Sequence, residues 1–83
     1  MTSHHVYIVR CADGTLYTGY ARNVEARLAQ HNAGTGAKYT AGRRPVVLAY
    51  HEAFENQREA MQREYQLKRW PRGKKEALIT GYT

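Results

Sequence analysis

One turn between two β-rich runs constrains the fold of this chain more than any other feature. Asp13-Gly14, a pair typical of β-hairpins, is flanked by HVYIVRC and TLYTGY. If Asp13-Gly14 alone forms a two-residue turn, Tyr7 and Tyr17 face opposite sides of the sheet. If the loop also includes Ala12, with Gly14 in the left-handed region and a bulge, the two tyrosines share a face. The sequence permits both registers, and glycine in the third loop position favours the second.

A helix and a third strand follow the predicted hairpin. Asn23 suits the N-cap of a helix that runs to about Ala33, because Gly34 and Gly36 follow it. The run PVVLAYHEAF then predicts a strand, since proline is tolerated at the first position of a strand. This strand completes a small three-stranded antiparallel sheet.

The C-terminal part of the chain is predicted to be helical. A long helix spans roughly Asn56 to Trp70 and is ended by Pro71 and Gly73. The run KKEALI forms one or two further helical turns. The element order is therefore ββαβα plus a short C-terminal helix. The fold class is α/β in the α+β sense, a small sheet flanked by helices.

Composition predicts one cytoplasmic domain. A chain of 83 residues buries only about 60 to 65% of its unfolded surface, so we expect a single domain over residues 1–83. No apolar run approaches the ~20 residues of a membrane span, so no membrane contact is expected. The N-terminus MTSHHVYIVR lacks the features of a secretory signal, and we expect residues 1–4 to be disordered. The lone Cys11 excludes an internal disulfide and a cysteine-based zinc cluster.

The net charge of +6 indicates an anionic partner. Two stretches, AKYTAGRR and KRWPRGKK, contain basic residues and an aromatic residue but no acid. This mixture is expected where phosphates are neutralised and a base stacks; the alternative is a merely soluble basic surface with Trp70 buried. We expect GAKYTAGRR, which contains the first stretch, to form a mobile loop beside the site, in which Tyr39 stacks on a base. The predicted nucleic-acid contacts are Lys38, Tyr39, Arg43, Arg44, Lys68, Arg69, Arg72 and Lys74.

Two polar residues lie beside the apolar stripe of the first helix. On a helical wheel Val24 and Leu28 define this stripe. His31 lies next to the stripe, and Arg27 lies further round the same edge. Because Arg27 and His31 are one turn apart, they can project together toward the sheet. The alternative is a hydrogen-bonded core histidine beside an arginine whose stem covers the core.

A glutamate falls within the predicted buried face of the second helix. We expect this face to contain Ala60, Met61, Tyr65 and Leu67, and Glu64 lies among them on the wheel. A carboxylate in apolar surroundings is costly unless it is paired, protonated or bound to a cation. Two interpretations stay open: a buried ion pair with Arg or Lys, or an oxygen ligand for a divalent metal.

Four features occur together along the chain: VYI at residues 6–8, YTG at residues 17–19, the helix RNVEARLAQH and the later glutamate. Together they resemble the GIY-YIG nuclease superfamily. More narrowly, DGTLYTGYARNVEARLAQHNAGTGAKYT is similar to the small stand-alone bacterial YhbQ-like (UPF0213-type) members. The similarity extends from about residue 5 to residue 80, so the chain is identified as a single GIY-YIG-like domain.

The resemblance implies that both tyrosines line a cleavage site. Tyr7 and Tyr17 correspond to the family tyrosines of the two tripeptides, which favours the bulged hairpin register. The chain departs from the family pattern at Val6, where the family has glycine, and at Thr18, where it has isoleucine. Tyr20 stands where several members carry a lysine, and this removes a possible phosphate contact.

Three further positions correspond to functional residues of the family. Arg27 corresponds to the arginine that holds the scissile phosphate, and His31 occupies the His or Tyr position one turn later. Glu64 corresponds to the metal-binding glutamate. We expect these residues and the two tyrosines to converge on one side of the sheet. The predicted catalytic residues are therefore Tyr7, Tyr17, Arg27, His31 and Glu64.

The function implied by the resemblance is endonucleolytic hydrolysis of phosphodiester bonds in DNA, in repair, recombination or uptake. Tyr7 is a poor base unless a neighbour takes its proton, and His31 could do so. One Mg²⁺ or Mn²⁺ ion on Glu64 is expected, with no small-molecule cofactor. Single-stranded, duplex and branched DNA stay open as substrates. The alternatives are a non-catalytic nucleic-acid-binding module of the same fold and a basic subunit of a larger repair assembly.

Overall fold

The structure is a computed structural model that describes residues 3–81. Its strands form one antiparallel sheet in the order β2-β1-β3, so β2 and β3 are edge strands. The α+β class with a three-stranded antiparallel sheet is confirmed. None of the described helices is long and apolar enough to cross a membrane. The elements in chain order are β1 (His4–Arg10), β2 (Leu16–Ala21), α1 (Val24–Ala33), α2 (Lys38–Ala41), β3 (Val47–Phe54), α3 (Gln57–Lys68) and α4 (Arg72–Thr80).

The β1–β2 hairpin has the register that places Tyr7 and Tyr17 on one face. Val9 is opposite Tyr17, so Tyr7 lies diagonal to Tyr17. The Gly14 N–H donates to the Cys11 carbonyl oxygen (2.9 Å), and Gly14 has a φ of +86°. Glycine adopts this left-handed conformation at little cost, which explains its place in the turn. The bulged register is therefore confirmed.

The two faces of the sheet are covered by different helices. Successive side chains of a strand point to opposite faces, so Tyr7 lies on one face and Val6 on the other. The Tyr7 face packs against α1 through Val24 and Leu28. The Val6 face packs against α3, in which Leu67 is fully buried. The central strand β1 is thus covered on both sides.

Side-chain caps set the starts of α1 and α3 close to the predicted positions. Asn23 accepts a hydrogen bond from the Ala26 N–H (3.0 Å), and Asn56 accepts one from the Glu59 N–H (2.9 Å). α1 ends before Gly34, whose φ is +87°. These boundaries follow from local signals that the sequence carries.

The stretch AKYTAGRR contains a helical turn, so the prediction of a loop there was wrong. α2 covers Lys38–Ala41, and Thr40 within it is fully buried. The Thr40 hydroxyl donates to the Ala37 carbonyl oxygen (3.2 Å) and so ties the turn together. The expected mobility of this stretch stays a prediction.

α3 is rotated about its axis relative to the helical-wheel expectation. Met61 and Tyr65 are 42% and 64% exposed, so the prediction that they are buried was wrong. The half-buried Arg63 faces the sheet instead and forms an ion pair with Glu52 of β3 (2.8 Å). An arginine stem can cover apolar surface, whereas the wheel counted only apolar side chains. Glu64 keeps its place toward the sheet, with 16% of its side chain exposed.

Two end regions also differ from expectation. α3 ends at Lys68, and Pro71 is the N-cap of α4, so Gly73 lies inside α4 and does not terminate α3. The disorder predicted for residues 1–4 does not hold for His4, which begins β1. Residues 1 and 2 lie outside the described residues.

We expect Gly14→Ala to destabilise the protein by about 1 to 2 kcal/mol, the cost of a left-handed backbone for a residue with a Cβ. No clash adds to this cost, because the nearest atom to an added Cβ is Nη2 of Arg72 at 3.9 Å. Gly42 is the matched control, since its φ is −91° and no atom lies within 4 Å of an added Cβ. Urea denaturation measures both variants, and equal losses of stability would contradict the assigned turn.

Candidate active site

A buried hydrogen bond joins the centre of β1 to α1. Tyr7 is 2% exposed, and its hydroxyl oxygen lies 2.7 Å from Nε2 of His31, which is 1% exposed. The other imidazole nitrogen, Nδ1, lies 2.8 Å from Oγ1 of Thr40 in α2. Three elements that are separate in the sequence thus meet at one imidazole ring.

The hydrogen bonds around His31 determine which group donates to which. Because the Thr40 hydroxyl donates to the Ala37 carbonyl oxygen, Oγ1 accepts from the Nδ1–H of His31. Nε2 then has no hydrogen and accepts from the Tyr7 O–H. The opposite assignment would leave the buried Tyr7 hydrogen without an acceptor among residues 3–81. Tyr7 therefore directs its proton at a neutral imidazole.

Two glycines leave the space that this pair of rings occupies. Gly19 is opposite Tyr7 in the hairpin, and a Cβ on it would lie 2.5 Å from the Tyr7 hydroxyl oxygen. A Cβ on Gly36 would lie 2.5 Å from Nδ1 of His31. Neither distance is compatible with a side chain, so both positions require glycine because of the close approach of a ring.

Aromatic contacts extend the site from His31 to the surface. The ring centroid of Tyr17 lies 5.3 Å from that of His31 with an edge-to-face angle of 67°, and Tyr17 stacks with Tyr39 of α2 at 5.6 Å. The Arg43 guanidinium lies 4.1 Å from the Tyr39 ring centroid and pairs with Asp13 (3.1 Å). Because Tyr17 and Arg43 both contact the Tyr39 ring, stacking of a base on Tyr39 requires Arg43 to move.

One cation and one anion flank the Tyr7–His31 pair. Arg27 lies one turn before His31 on α1, and its guanidinium donates to the Tyr20 carbonyl oxygen at 3.4 Å. Glu64 lies on α3, and its carboxylate is 3.7 Å from the ammonium of Lys68, which is 51% exposed. Within residues 3–81, the Arg27 contact with Tyr20 and the Glu64 contact with Lys68 are both long.

Burial dominates the electrostatics of the pair. It raises the pKa of Tyr7 to about 12; Tyr17 also raises this pKa, Arg27 lowers it, and Glu64 raises it. Burial lowers the pKa of His31, and the Arg27 charge lowers it further. At neutral pH the proton therefore stays on Tyr7 and the imidazole is neutral, in agreement with the hydrogen-bond assignment.

The sequence that forms this site matches the sequence model of a known protein family. The model described as the GIY-YIG catalytic domain matches residues 3–77, a range that includes every residue of the site described above. The chain belongs to the GIY-YIG family. The resemblance seen in the two tripeptides and the residues after them is thus confirmed.

UPF0213 proteins match the chain over nearly its whole length. It is 60% identical to a UPF0213 protein of Staphylococcus haemolyticus over 95% of this chain and 96% of the relative. It is 57% identical to a UPF0213 protein of Halobacterium salinarum over 92% of this chain and 99% of that one. The narrower similarity to UPF0213-type proteins is therefore confirmed.

Two solution NMR structures are similar to this fold. One, of a UPF0213 protein from Bacillus halodurans, has a TM-score of 0.61 and 48% identity and covers 93% of this chain and 82% of that chain. The other, of a protein from E. faecalis, has a TM-score of 0.66 and 43% identity over 99% and 88% of the two chains.

The residues that match the GIY-YIG motifs come from both faces of the sheet. α1 covers the Tyr7 face and carries Arg27 and His31, whereas α3 covers the Val6 face and carries Glu64. Our prediction that all of them lie on one side of the sheet was wrong in this respect. The Tyr7 hydroxyl lies over the edge strand β2, and α3 packs against the other face of this strand through Tyr20. The effect of Glu64 on the Tyr7 pKa places its carboxylate within electrostatic range.

Two of the predicted nucleic-acid contacts in the first basic stretch, Arg43 and Arg44, already have protein partners. Arg43 pairs with Asp13 and lies on Tyr39, as described above. Arg44 donates from Nε to the Ala41 carbonyl oxygen (2.8 Å). Lys38 is exposed. Binding of a phosphate by the two arginines would therefore compete with contacts inside the protein.

The second basic stretch packs its side chains on aromatic rings. Arg69 lies 5.5 Å from the Tyr65 ring centroid, and Lys74 lies 4.2 Å from that of Trp70. Trp70 is half-buried against the Val6 face, so it is not a free stacking platform. Arg72 donates to the Gly14 carbonyl oxygen (2.8 Å), which brings α4 to the hairpin turn.

Three residues of the site were missed from the sequence. Thr40 gave no signal, because a threonine in a basic stretch has no distinctive pattern. Gly19 belongs to the YTG tripeptide, but the sequence does not show that its missing side chain makes room for Tyr7. Gly36 was assigned to the end of α1, although its main contact is with His31.

We expect the stability of the protein to fall as the pH drops below about 6.5, the pKa of an unperturbed histidine. The folded state keeps His31 neutral to lower pH, so in this range the unfolded state binds more protons and the free energy of unfolding rises with pH. The slope is at most about 1.4 kcal/mol per pH unit, the limit for one proton. Some carboxylates have lowered pKa values in the folded protein, such as Glu76 at about 2. These carboxylates titrate at lower pH than His31 and do not account for a change just below pH 6.5.

Urea denaturation at about pH 5.5 and about pH 7.5 measures this dependence. His31→Gln should reduce the difference in unfolding free energy between the two pH values, whatever its overall stability. His51→Gln, which changes an exposed histidine of β3, should keep the wild-type difference. An unchanged pH dependence in His31→Gln would show that His31 is not the buried neutral group.

Proposed function

We propose that this protein is a metal-dependent endonuclease that hydrolyses phosphodiester bonds in DNA. The observation that carries this proposal is the hydrogen bond from the Tyr7 hydroxyl to Nε2 of His31, flanked by the charges of Arg27 and Glu64. Membership of the GIY-YIG nuclease family supports a nuclease acting on a nucleic acid. A cytoplasmic location and a role in repair, recombination or uptake stay predictions.

Tyr7 and His31 can together remove a proton from the attacking water. A phenol with a pKa of about 12 is a weak acid, so it needs an acceptor for its own proton before it can take one. The Tyr7 proton moves to Nε2 of His31 while the Tyr7 oxygen takes a proton from water. The resulting hydroxide oxygen attacks phosphorus, and the bond between phosphorus and the 3′ oxygen breaks. The 3′ oxygen leaves with the electron pair of that bond and takes a proton from solvent water. Thr40 holds the imidazole in the orientation that this transfer needs.

Arg27 is suited to hold the scissile phosphate. Its guanidinium donates to the Tyr20 carbonyl oxygen at 3.4 Å and also hydrogen-bonds the Tyr7 hydroxyl, whose pKa it lowers. Its remaining N–H groups can donate to phosphate oxygens. A phosphate bound to Arg27 also offsets the positive charge of Arg27, which lowers the pKa of His31. Substrate binding thus makes it easier for His31 to accept a proton. Tyr17, beside His31, would orient the water or a phosphate oxygen.

Glu64 is the residue that would hold a divalent metal. The structure offers no group of three His, Cys, Asp or Glu residues among residues 3–81 that could ligate a metal, and Glu64 is a single carboxylate with only a distant ion pair. A lone carboxylate suits Mg²⁺ or Mn²⁺, which take their other ligands from water and phosphate oxygens. When bound, such an ion supplies positive charge to the phosphate and the leaving oxygen.

The alternative function is a nucleic-acid-binding module without turnover. The observation that favours it is burial, because Tyr7 and His31 are almost inaccessible and both imidazole nitrogens are already hydrogen-bonded. These are also the properties of a structural core histidine. The two functions differ in whether DNA is cleaved.

We expect Tyr7→Phe to lower the rate of metal-dependent DNA cleavage by about 100-fold or more, the usual contribution of a general base. Labelled single-stranded, duplex and branched DNA are incubated with Mg²⁺ or Mn²⁺, and binding is measured in EDTA, where it should persist. The matched control is Tyr50→Phe, which removes the hydroxyl of another tyrosine of the sheet, bonded to Glu52. Equal cleavage by the two variants would exclude Tyr7 from catalysis.

Glu64→Gln should abolish metal-dependent cleavage and change stability by no more than about 1 kcal/mol, because the pair with exposed Lys68 is weak. Glu59→Gln, at an exposed position of the same helix, should cleave normally. If Glu64 were instead half of a tight buried ion pair, its loss would cost about 3 to 5 kcal/mol. That loss, together with wild-type protein that shows no divalent-ion dependence on any DNA, would favour the binding module.

A further inference from the structure

Lys75 in α4 is a half-buried cation that the described part of the chain does not neutralise. Burial lowers the pKa of Lys75, and repulsion from Lys68 lowers it further. The acid of α4, Glu76, is engaged elsewhere, because it binds the Arg10 guanidinium through both oxygens (2.6 and 2.9 Å) and contacts Arg72 (3.4 Å). A cation that is half-buried beside another cation is destabilising unless an anion joins it. Lys75 is therefore a position that an anion would stabilise.

The Lys75 side chain lines a cleft of about 200 Å³ between the hairpin, α2 and α4, together with Thr15, Leu16, Tyr39 and Arg72. The cleft combines two cations with a threonine hydroxyl and with the apolar surfaces of Leu16 and Tyr39. This is the mixture that suits a sugar-phosphate unit, which presents an anion beside apolar carbon atoms.

The cleft adjoins the Tyr7–His31 pair by two routes. Tyr39 in its wall stacks on Tyr17, whose ring contacts His31. On the other side, Lys75 lies close enough to Lys68 for the two charges to repel, and Lys68 contacts Glu64 at 3.7 Å. The cleft is therefore next to Tyr39 at the outer end of the aromatic contacts and lies on the same side as Lys68, the ion-pair partner of Glu64.

We infer that the cleft is a second phosphate subsite, in which Lys75 binds a backbone phosphate of the strand whose scissile phosphate lies at Arg27. The inference rests on the proposed function for the position of the strand. Lys75 differs from its basic neighbours in lacking a protein partner within residues 3–81. Lys74 lies on Trp70 and Arg72 is held by Gly14 and Glu76. Lys75 is a substrate-positioning residue and takes no part in proton transfer.

The test compares Lys75→Gln and Lys75→Arg with wild-type protein. Binding of a labelled single-stranded oligonucleotide is measured in EDTA over a range of salt concentrations. Lys75→Gln should weaken binding by about tenfold, the lower end for a hydrogen bond between charged groups. It should also reduce the slope of log affinity against log salt by about 0.7, the value for one phosphate contact. Lys75→Arg should restore most of the affinity and most of the salt slope. In cleavage assays Lys75→Gln should raise KM with little change in kcat.

Two controls distinguish the loss of the contact between Lys75 and phosphate from unfolding of the protein. Arg58→Gln removes one positive charge at an exposed position of α3 and should leave affinity and slope near the wild-type values. The thermal midpoint of Lys75→Gln should equal or exceed that of wild type, because a half-buried charge next to Lys68 has been removed.

The outcomes distinguish the subsite from the nuclease. If Lys75→Gln behaves like Arg58→Gln while the wild-type protein cleaves DNA, the subsite is wrong and the nuclease stands. If no DNA is cleaved but Lys75→Gln alone lowers the affinity and the salt slope, the subsite stands and the nuclease is wrong. Failure of the wild-type protein to bind any DNA would overturn both.

Discussion

The hydrogen bond from the Tyr7 hydroxyl to Nε2 of His31 is the contact on which the rest of this site depends. It requires the bulged hairpin register, which puts Tyr7 on the face that α1 covers. It requires glycine at position 19, since any side chain there would overlap the phenol. It also requires the turn of α2, because Thr40 holds the far side of the imidazole. The two rings are thus fixed by contacts among four elements, β1, β2, α1 and α2.

The pKa values of the two rings limit the mechanism. Because burial raises the phenol pKa to about 12 and lowers the imidazole pKa, transfer of the proton from Tyr7 to His31 is unfavourable in the resting site. Tyrosinate is therefore not a resting species. We therefore expect proton transfer to accompany attack on phosphorus.

Local signals in the sequence predicted much of this structure. The turn at Gly14, the cap at Asn23 and the start of the helix near Asn56 depend on residues within one turn of the backbone, and each was placed correctly. The position of Glu64 toward the sheet also followed from helical periodicity. The motifs around Tyr7 and Tyr17, with the helix and the glutamate that follow them, were sufficient to indicate the family.

The features that the sequence did not reveal are tertiary. α3 turns Arg63 toward the sheet, where it pairs with Glu52 of β3, and a wheel of apolar residues does not include this contact. The turn of α2 depends on a hydrogen bond from Thr40 to a histidine nine positions earlier. A helical wheel shows which side of a helix is buried but not which face of the sheet it covers. For that reason the sequence did not predict that α1 and α3 cover opposite faces of the sheet.

The most direct test is the protonation state of His31 in the folded protein, measured by ¹⁵N NMR of the imidazole nitrogens near neutral pH. A neutral ring with hydrogen on Nδ1 and a bare, hydrogen-bonded Nε2 is expected, and Tyr7→Phe should shift the Nε2 resonance toward that of a free acceptor. A ring with hydrogen on Nε2, or a fully protonated imidazolium, would mean that Tyr7 does not donate to His31. The proton path proposed for catalysis would then be wrong.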